Sequence, residues 1–512
     1  MPASKPHILF IVLDTVRRDR LSLYGHNRPT TPHLDEFAQQ ATTFERAIAA
    51  AQWTIPSHAS MFTGHYPSTH DLTQASGTLP KNMPTLAELL RGAGYHTAAF
   101  CNNPLVGVLN HGLQRGFERF YNYASAAPYR PTEARRHPLH RKALKLFRQH
   151  LARPMGNQFA HSDVMFRLAL NPFWVPLWTR LINFKGNGPA AIRDLIEYWE
   201  SHQQTQPDQP MFAFLNLMGA HLPYFPPQAH LDRMAPELRN ERSRYQFMRR
   251  FNAEAARWAS PDDPPLADWE HATLNDFYDA EIAHQDEQVG KLLSCLASSG
   301  ILENTVVVIC ADHGEGHGDH GFLGHGFVVY QELVHVPLVI RFPDGHGAGQ
   351  RVRTNVSTRR LFHTALEAAG LPLPTNHERN CSLSSAAIGS SDVEQDTAFS
   401  EAYPPLTFLN VIKHRNASLV ASNQLHRIRR ALYEGDQKLV MADQQVEGLF
   451  TLPDDPQEVH NVAGDHPGAV SAMQRKLLHH VHKAESLRME STPVTEVDES
   501  VVEHLRALGY IE

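Results

Sequence analysis

Short runs dominated by apolar residues alternate with stretches of helical spacing, and that alternation leaves few folds open to this chain. Ile8–Leu13, Thr97–Phe100, Phe212–Leu217, Thr305–Cys310 and Leu338–Phe342 have the length and side chains of strands covered on both faces. Between them Thr85–Ala93, the Ile192–Trp199 region and Leu274–Ser299 read as helices. In the last, Ile282, Val289, Leu292, Leu293 and Leu296 recur at helical spacing, and Gly300 follows as a stop signal. Strands alternating with helices predict an α/β fold: a doubly wound, mostly parallel central sheet flanked by helices. At 512 residues the chain is long enough for a large domain and a smaller one. We expect the division at 1–375 and 376–512. In the second part Asn376–Asp396 reads as a serine-rich linker, Arg427–Val440 and Leu449–Leu452 as strands of a small antiparallel sheet, and Ala469–His482 as an amphipathic helix.

A composition of 42% hydrophobic and 20% charged residues is that of an ordinary globular protein, and a net charge of −7 gives no basis for nucleic-acid binding. The four cysteines have no CxxC spacing, so neither a disulfide framework nor a cysteine zinc site is indicated. No run reaches the 18 or so apolar residues of a membrane span, and the N-terminal apolar run ends on Asp14 without a cleavage site. These features set a cytoplasmic, reducing location as the expectation. Residues 124–190 fit neither strand nor helix pattern cleanly; a basic stretch precedes NPFWVPLWTRLINF. A helical insertion or lid over a site, a subunit contact that would make a homo-oligomer, and a surface that meets lipid all suit them.

Two of the strand runs end in chemistry. FIVLD stops on Asp14, and VVVICADH stops on Asp312 and His313, at the head of the glycine- and histidine-rich DHGEGHGDHGFLGHG. In doubly wound sheets ligands sit beyond the C-terminal strand ends. A strand-terminal Asp alone is often a helix cap, but two such ends with an adjacent His suit one divalent cation: Mn, Zn, Mg or Ca. QWTIPSHASMFTG, residues 52–64, places Thr54 at a helix start, with Pro56 in the first turn. A helix N-terminus attracts phosphate or sulfate, and a threonine hydroxyl becomes a nucleophile when a nearby cation loosens its proton. His58 lies one turn on, on the same face. It either meets the anion or bonds within the helix.

These motifs resemble those of the sulfatase branch of the alkaline-phosphatase-like metalloenzymes. The likeness runs in order through Ile8–Asp14, Arg28-Pro-Thr-Thr-Pro-His-Leu-Asp35, the Thr54–Gly64 stretch, His221-Leu-Pro-Tyr224, Tyr278-Asp-Ala-Glu-Ile282, Ala311-Asp-His-Gly-Glu315 and Tyr330–Pro337. It continues to Asp455-Pro-Gln-Glu458 and Leu505–Tyr510. The resemblance implies a central mixed sheet with a small C-terminal α+β subdomain. It implies a metal held by Asp14, Thr54, Asp312 and His313, a proton donor at His221 or His325, and substrate contacts from Asn103 and His58. Where the family carries the Cys or Ser that becomes formylglycine, this chain has Thr54. Family arginine and lysine positions hold His58 and His325, and a second family aspartate is Thr15. Threonine suggests a hydrolase of phosphoric diesters or phosphonate monoesters that forms a phosphothreonine intermediate. A sulfatase that works without formylglycine and an inactive relative that binds an anion or a partner are the alternatives. The substrate is expected to be a small-molecule or lipid-like anionic ester.

Overall fold

The computed structural model describes residues 5–124, 129–131, 184–374, 381–389 and 392–488. Its strands in chain order are β1 (His7–Leu13), β2 (Thr42–Ile48), β3 (His96–Cys101), β4 (Arg119–Asn122) and β5 (Met211–Leu217), then β6 (Ser260–Pro261), β7 (Thr305–Cys310), β8 (Gly316–His317), β9 (Phe322–Gly324) and β10 (His335–Arg341). β11 (Arg351–Ser357) completes the central sheet. β12 (Thr397–Ala402), β13 (Arg429–Glu434), β14 (Gln437–Ala442) and β15 (Gln445–Thr451) form a second one.

The central sheet has eight strands in the order β11-β2-β10-β7-β1-β5-β3-β4. The five apolar runs are all in it. β1, β5 and β7 are buried along their whole lengths, as strands covered on both faces must be. β1 runs parallel to both β5 and β7, with Val12 opposite Asn216 on one side and Cys310 on the other. That register brings the end of β1 beside the end of β7, and so Asp14 beside Asp312. The expected helices are present as Leu86–Gly92, Gly188–Thr205 and Asp268–Ser298. Thr85 opens the first with a capping box, its hydroxyl accepting from Glu88 N at 3.2 Å and its N–H donating to Glu88 Oε2 at 2.9 Å. Gly300 stands at φ +73°, the left-handed conformation expected just past a helix end.

The sheet departs from an all-parallel one at β10, which is antiparallel to both β2 and β7; apolar patterning carries no strand direction. β2 and β11 were not legible as strands, because polar residues interrupt them. Glu45 and Arg46 in β2 are half-buried, and Glu45 meets Arg18 and Arg351.

The four-stranded second sheet is antiparallel throughout. Leu432, Leu439, Met441 and Leu449 on its face pack against Met473, Leu477 and Val481 of the Pro467–Ser486 helix. It joins the central body through Glu401, whose N–H donates to Ala50 O at 3.0 Å. Ala398, Ala402, Ala431 and Tyr433 belong to the main apolar core. The stretch expected as a linker carries a short helix, Leu383–Ala387, with three buried side chains. Most of 124–190, including NPFWVPLWTRLIN, and the Leu505–Tyr510 motif lie outside the described residues. Among the described residues no helix is long and apolar enough to cross a membrane.

Candidate active site

Asp14, Asp312 and His313 are each fully buried, and one ligand atom from each lies within 4.8 Å of the others. Half of each carboxylate is committed. Asp14 Oδ2 accepts from Asn103 Nδ2 at 2.6 Å and Asn216 Nδ2 at 3.2 Å, and Asp312 Oδ1 from the backbone N–H of His313 at 3.0 Å and Thr15 at 3.3 Å. The other oxygens, Asp14 Oδ1 and Asp312 Oδ2, are buried without a hydrogen-bond partner among the described residues. Burial, then the neighbouring Asp14, hold the Asp312 carboxyl well above the usual carboxylate range. His313 donates from Nδ1 to Gly314 O at 2.8 Å, which leaves Nε2 unprotonated, with its lone pair available to accept or to ligate. Burial and His325 keep that ring neutral, the form that ligates. Two orphaned carboxylate oxygens and an imidazole lone pair converging in a buried space fit a divalent cation.

Thr54 begins the buried helix Thr54–Thr63. Its Oγ1 lies 3.2 Å from His313 Nε2 and accepts from Asn103 Nδ2 at 3.5 Å. Ser57 ties this helix to the strand end, its hydroxyl donating to Asp312 O at 2.7 Å. His58 donates from Nδ1 to Thr54 O at 2.9 Å, the bond within the helix, and the same atom is 3.5 Å from Asp312 Oδ2. Its ring sits edge-on to Phe62 and Phe214, and its buried Nε2 has no hydrogen-bond partner among the described residues. Burial lowers its proton affinity. Asn103 does two jobs: its oxygen caps the Pro104–Gly107 helix through Leu105 N at 2.8 Å, and its amide group goes to Asp14 and Thr54.

Two more histidines crowd against this group, His325 tilted toward His313 and His221 edge-on to His325. The His325 ring centre is 4.4 Å from that of His313 and 5.3 Å from that of His221. His325 Nδ1 is 2.7 Å from Glu315 Oε1. Burial alone would push its pKa down, yet the buried Glu315 carboxylate outweighs it and holds the imidazole above its ordinary value. His221 donates from Nδ1 to Leu222 O at 2.6 Å; burial lowers its proton affinity, and His325 adds to that.

The Sulfatase family model matches residues 6–371. This chain belongs to the sulfatase family. Its fold is the alkaline-phosphatase-like one expected of that branch. It is 26% identical over 380 residues to the ulvan-active sulfatase of Formosa agariphila, covering 73% of this chain and 64% of that protein. To the steryl-sulfatase of Mus musculus it is 27% identical over 414 residues, covering 73% and 63%. The chain thus spans less than two thirds of the length of either relative. Among solved structures, the phosphonate monoester hydrolase of Agrobacterium radiobacter aligns at a TM-score of 0.64 with 23% identity, over 94% of this chain and 96% of that one.

Within this sulfatase-family chain, several residues that complete the site had not been singled out from the sequence. Glu315 is the partner of His325, and Asn216 shares Asp14 with Asn103. Beside them Thr15, already noted in the sequence, contributes its backbone N–H to Asp312 where the resemblance implies a carboxylate. It does so at φ +59°, rare for a β-branched residue. Tyr278 holds that turn, accepting from Arg17 N at 2.8 Å and donating to Thr15 O at 2.6 Å. Glu315 had a visible signal, three residues past Asp312 in one motif. Asn216, inside an apolar strand run, offered only its polarity.

Proposed function

We propose that this protein hydrolyses phosphoric diesters or phosphonate monoesters, with Thr54 as the nucleophile and a phosphothreonine intermediate. The observation that carries the reading is the position of Thr54 Oγ1, 3.2 Å from His313 Nε2, an atom that itself lies 3.4 Å from the orphaned Asp312 Oδ2. Asp14, Asp312, His313 and Thr54 would hold the divalent cation. When bound there, it supplies Lewis-acid stabilisation of negative charge and eases loss of the hydroxyl proton.

Asn103 fixes Asp14 and the Thr54 oxygen in one frame. With its proton lost to solvent, Thr54 Oγ1 forms a bond to phosphorus as the bond to the leaving oxygen breaks. His325, held by Glu315 and biased toward its protonated form, gives that oxygen its proton, with His221 beside it. Water then attacks phosphorus, and Thr54 Oγ1 departs and recovers a proton. Histidines at the family's arginine and lysine positions supply less fixed positive charge, which favours a monoanionic diester or phosphonate monoester over a dianionic monoester. Two solved structures of like fold are named phosphonate monoester hydrolases, a class this charge balance suits.

The curated relatives named as sulfatases favour a second reading, sulfate-ester hydrolysis by the same threonine. A panel of 4-nitrophenyl phosphate, bis(4-nitrophenyl) phosphate, 4-nitrophenyl phenylphosphonate and 4-nitrophenyl sulfate, run with Mn and with Zn, tests both. Highest kcat/KM on the diester or phosphonate is expected. Highest kcat/KM on the sulfate would install the second reading.

A further inference from the structure

The segment from His325 to Tyr330 has no regular structure, yet His325 through Val329 are buried. Buried backbone groups without a ladder need other partners, and here they come from outside the segment. Gln52 donates to Gly326 O at 3.1 Å. Arg429 of β13 donates to Phe327 O at 3.3 Å, and Lys438 of β14 to Val329 O at 2.6 Å. Gln331 N donates to Glu458 Oε2 at 2.7 Å, while Tyr433 donates to the Gln331 side chain at 3.0 Å. Lys438 Nζ also lies 2.5 Å from Glu458 Oε1, and both side chains are wholly inaccessible to solvent.

The Asp455-Pro-Gln-Glu458 motif builds the far half of this grip. Asp455 accepts the N–H of Val459 at 3.1 Å and of His460 at 2.8 Å, and Glu458 N–H donates to Asp455 O at 3.1 Å. That turn holds Glu458 at φ +54°, a conformation that costs a non-glycine residue energy, and sends its carboxylate inward. A buried ion pair returns little net stability against an apolar pair of the same volume. What it does supply is a fixed geometry, since one pair satisfies the Val329 carbonyl and, two residues on, the Gln331 N–H.

We infer that Lys438 and Glu458 are positioning residues: together they lock the backbone of 325–331 and so fix His325 against His313 and Glu315. This rests on the reading above in one respect, that His325 protonates the leaving oxygen. The small sheet then acts on the reaction through the loop it clasps.

The test uses the full chain with Glu458→Gln, and with the charge-neutral double change Lys438→Met and Glu458→Gln. Amide exchange is measured alongside turnover of 4-nitrophenyl phenylphosphonate, whose leaving oxygen needs no proton, and its methyl counterpart, whose leaving oxygen does. Cooperative melting and Mn affinity within about threefold of wild type are expected, since the three ligand residues lie outside the loop. Exchange at Gln331 should rise about tenfold or more. Turnover of the methyl ester should fall about 10- to 100-fold while the nitrophenyl ester falls much less. Unchanged exchange at Gln331, or equal losses on both esters in a folded variant, would overturn the inference. If neither variant folds, the wild-type chain decides: its Gln331 amide should exchange as slowly as those of β7, and exchange at the rate of the exposed turn at 344–349 overturns the lock. Activity surviving in Thr54→Ala would defeat the proposed function alone, because the exchange measurements judge the lock separately.

Discussion

Asp279 and Asp312 are both inaccessible aspartates, yet they have opposite proton affinities. Around Asp279 the chain supplies its own cations: Arg20 grips both oxygens at 2.9 and 2.7 Å, and His26 and Arg28 each approach Oδ2 at 3.1 Å. Burial would raise this carboxyl, but His26 and Arg20 outweigh it and hold it below the usual value. Around Asp312, among the described residues, no arginine or lysine side chain is a partner, one oxygen has no hydrogen bond, and burial with Asp14 pushes the carboxyl far up. The Asp279 cluster is complete as folded. The Asp312 cluster is a candidate site because its charge is left for something else to balance.

Substitutions can break this contrast. The largest effect is expected at the proposed nucleophile: Thr54→Ala should lower turnover by about a thousandfold or more while metal analysis shows the same content. Retained turnover would remove Thr54 from the mechanism.

Next come the two aspartates, which should respond in opposite ways. Asp312→Asn should weaken Mn or Zn binding by more than about 100-fold, beyond the cost of losing an outer partner, and raise the melting temperature of metal-free protein by relieving repulsion with Asp14. Asp279→Asn should leave metal affinity unchanged but cost about 3 kcal/mol in denaturant unfolding at pH 7, since it strands the arginines. Because the Asp279 carboxyl is depressed, its stabilisation is present above the unfolded value of about 4 and is lost as pH falls through the lower folded value. The gap between wild type and Asp279→Asn should therefore narrow below about pH 4. Matching responses from the two variants would erase the distinction.

Asn103→Ala sharpens the comparison at the level of positioning. It removes the amide that joins Asp14 to Thr54, and kcat should fall about 10- to 100-fold, measured on bis(4-nitrophenyl) phosphate at saturating metal. The smallest effect belongs to Tyr278→Phe, which gives up the bonds to Thr15 O and Arg17 N. About 1–3 kcal/mol of stability should be lost in urea unfolding, with a modest drop in metal affinity from the loosened Thr15 turn.

Part of the site was legible because strand and helix ends are written locally. Asp14 and Asp312-His313 each close an apolar run, and Thr54 precedes a proline-marked first turn. Asn216 and Tyr278 were not legible as site residues: one sits within an apolar run and the other on the long helix Asp268–Ser298, and nothing in either neighbourhood announces which partner it meets. β2 and β11 were hidden for a related reason. Their polar side chains are satisfied by residues distant in sequence, Glu45 by Arg351 and Asn355 by Asp396 and Gly435.

Alone, the order of residues determined the alternation of strand and helix, the five apolar strands, and the identity of the metal-ligand candidates, because burial periodicity and end signals are short-range properties of the chain. Tertiary structure decided which of the chain's many acids remain unpaired. It also turned β10 antiparallel and set Glu315 beneath His325. The clasp of Lys438 and Glu458 on a loop more than a hundred residues earlier was likewise settled only there. Whether a buried charge is matched depends on what packs against it, and a linear sequence does not say which distant side chain will arrive.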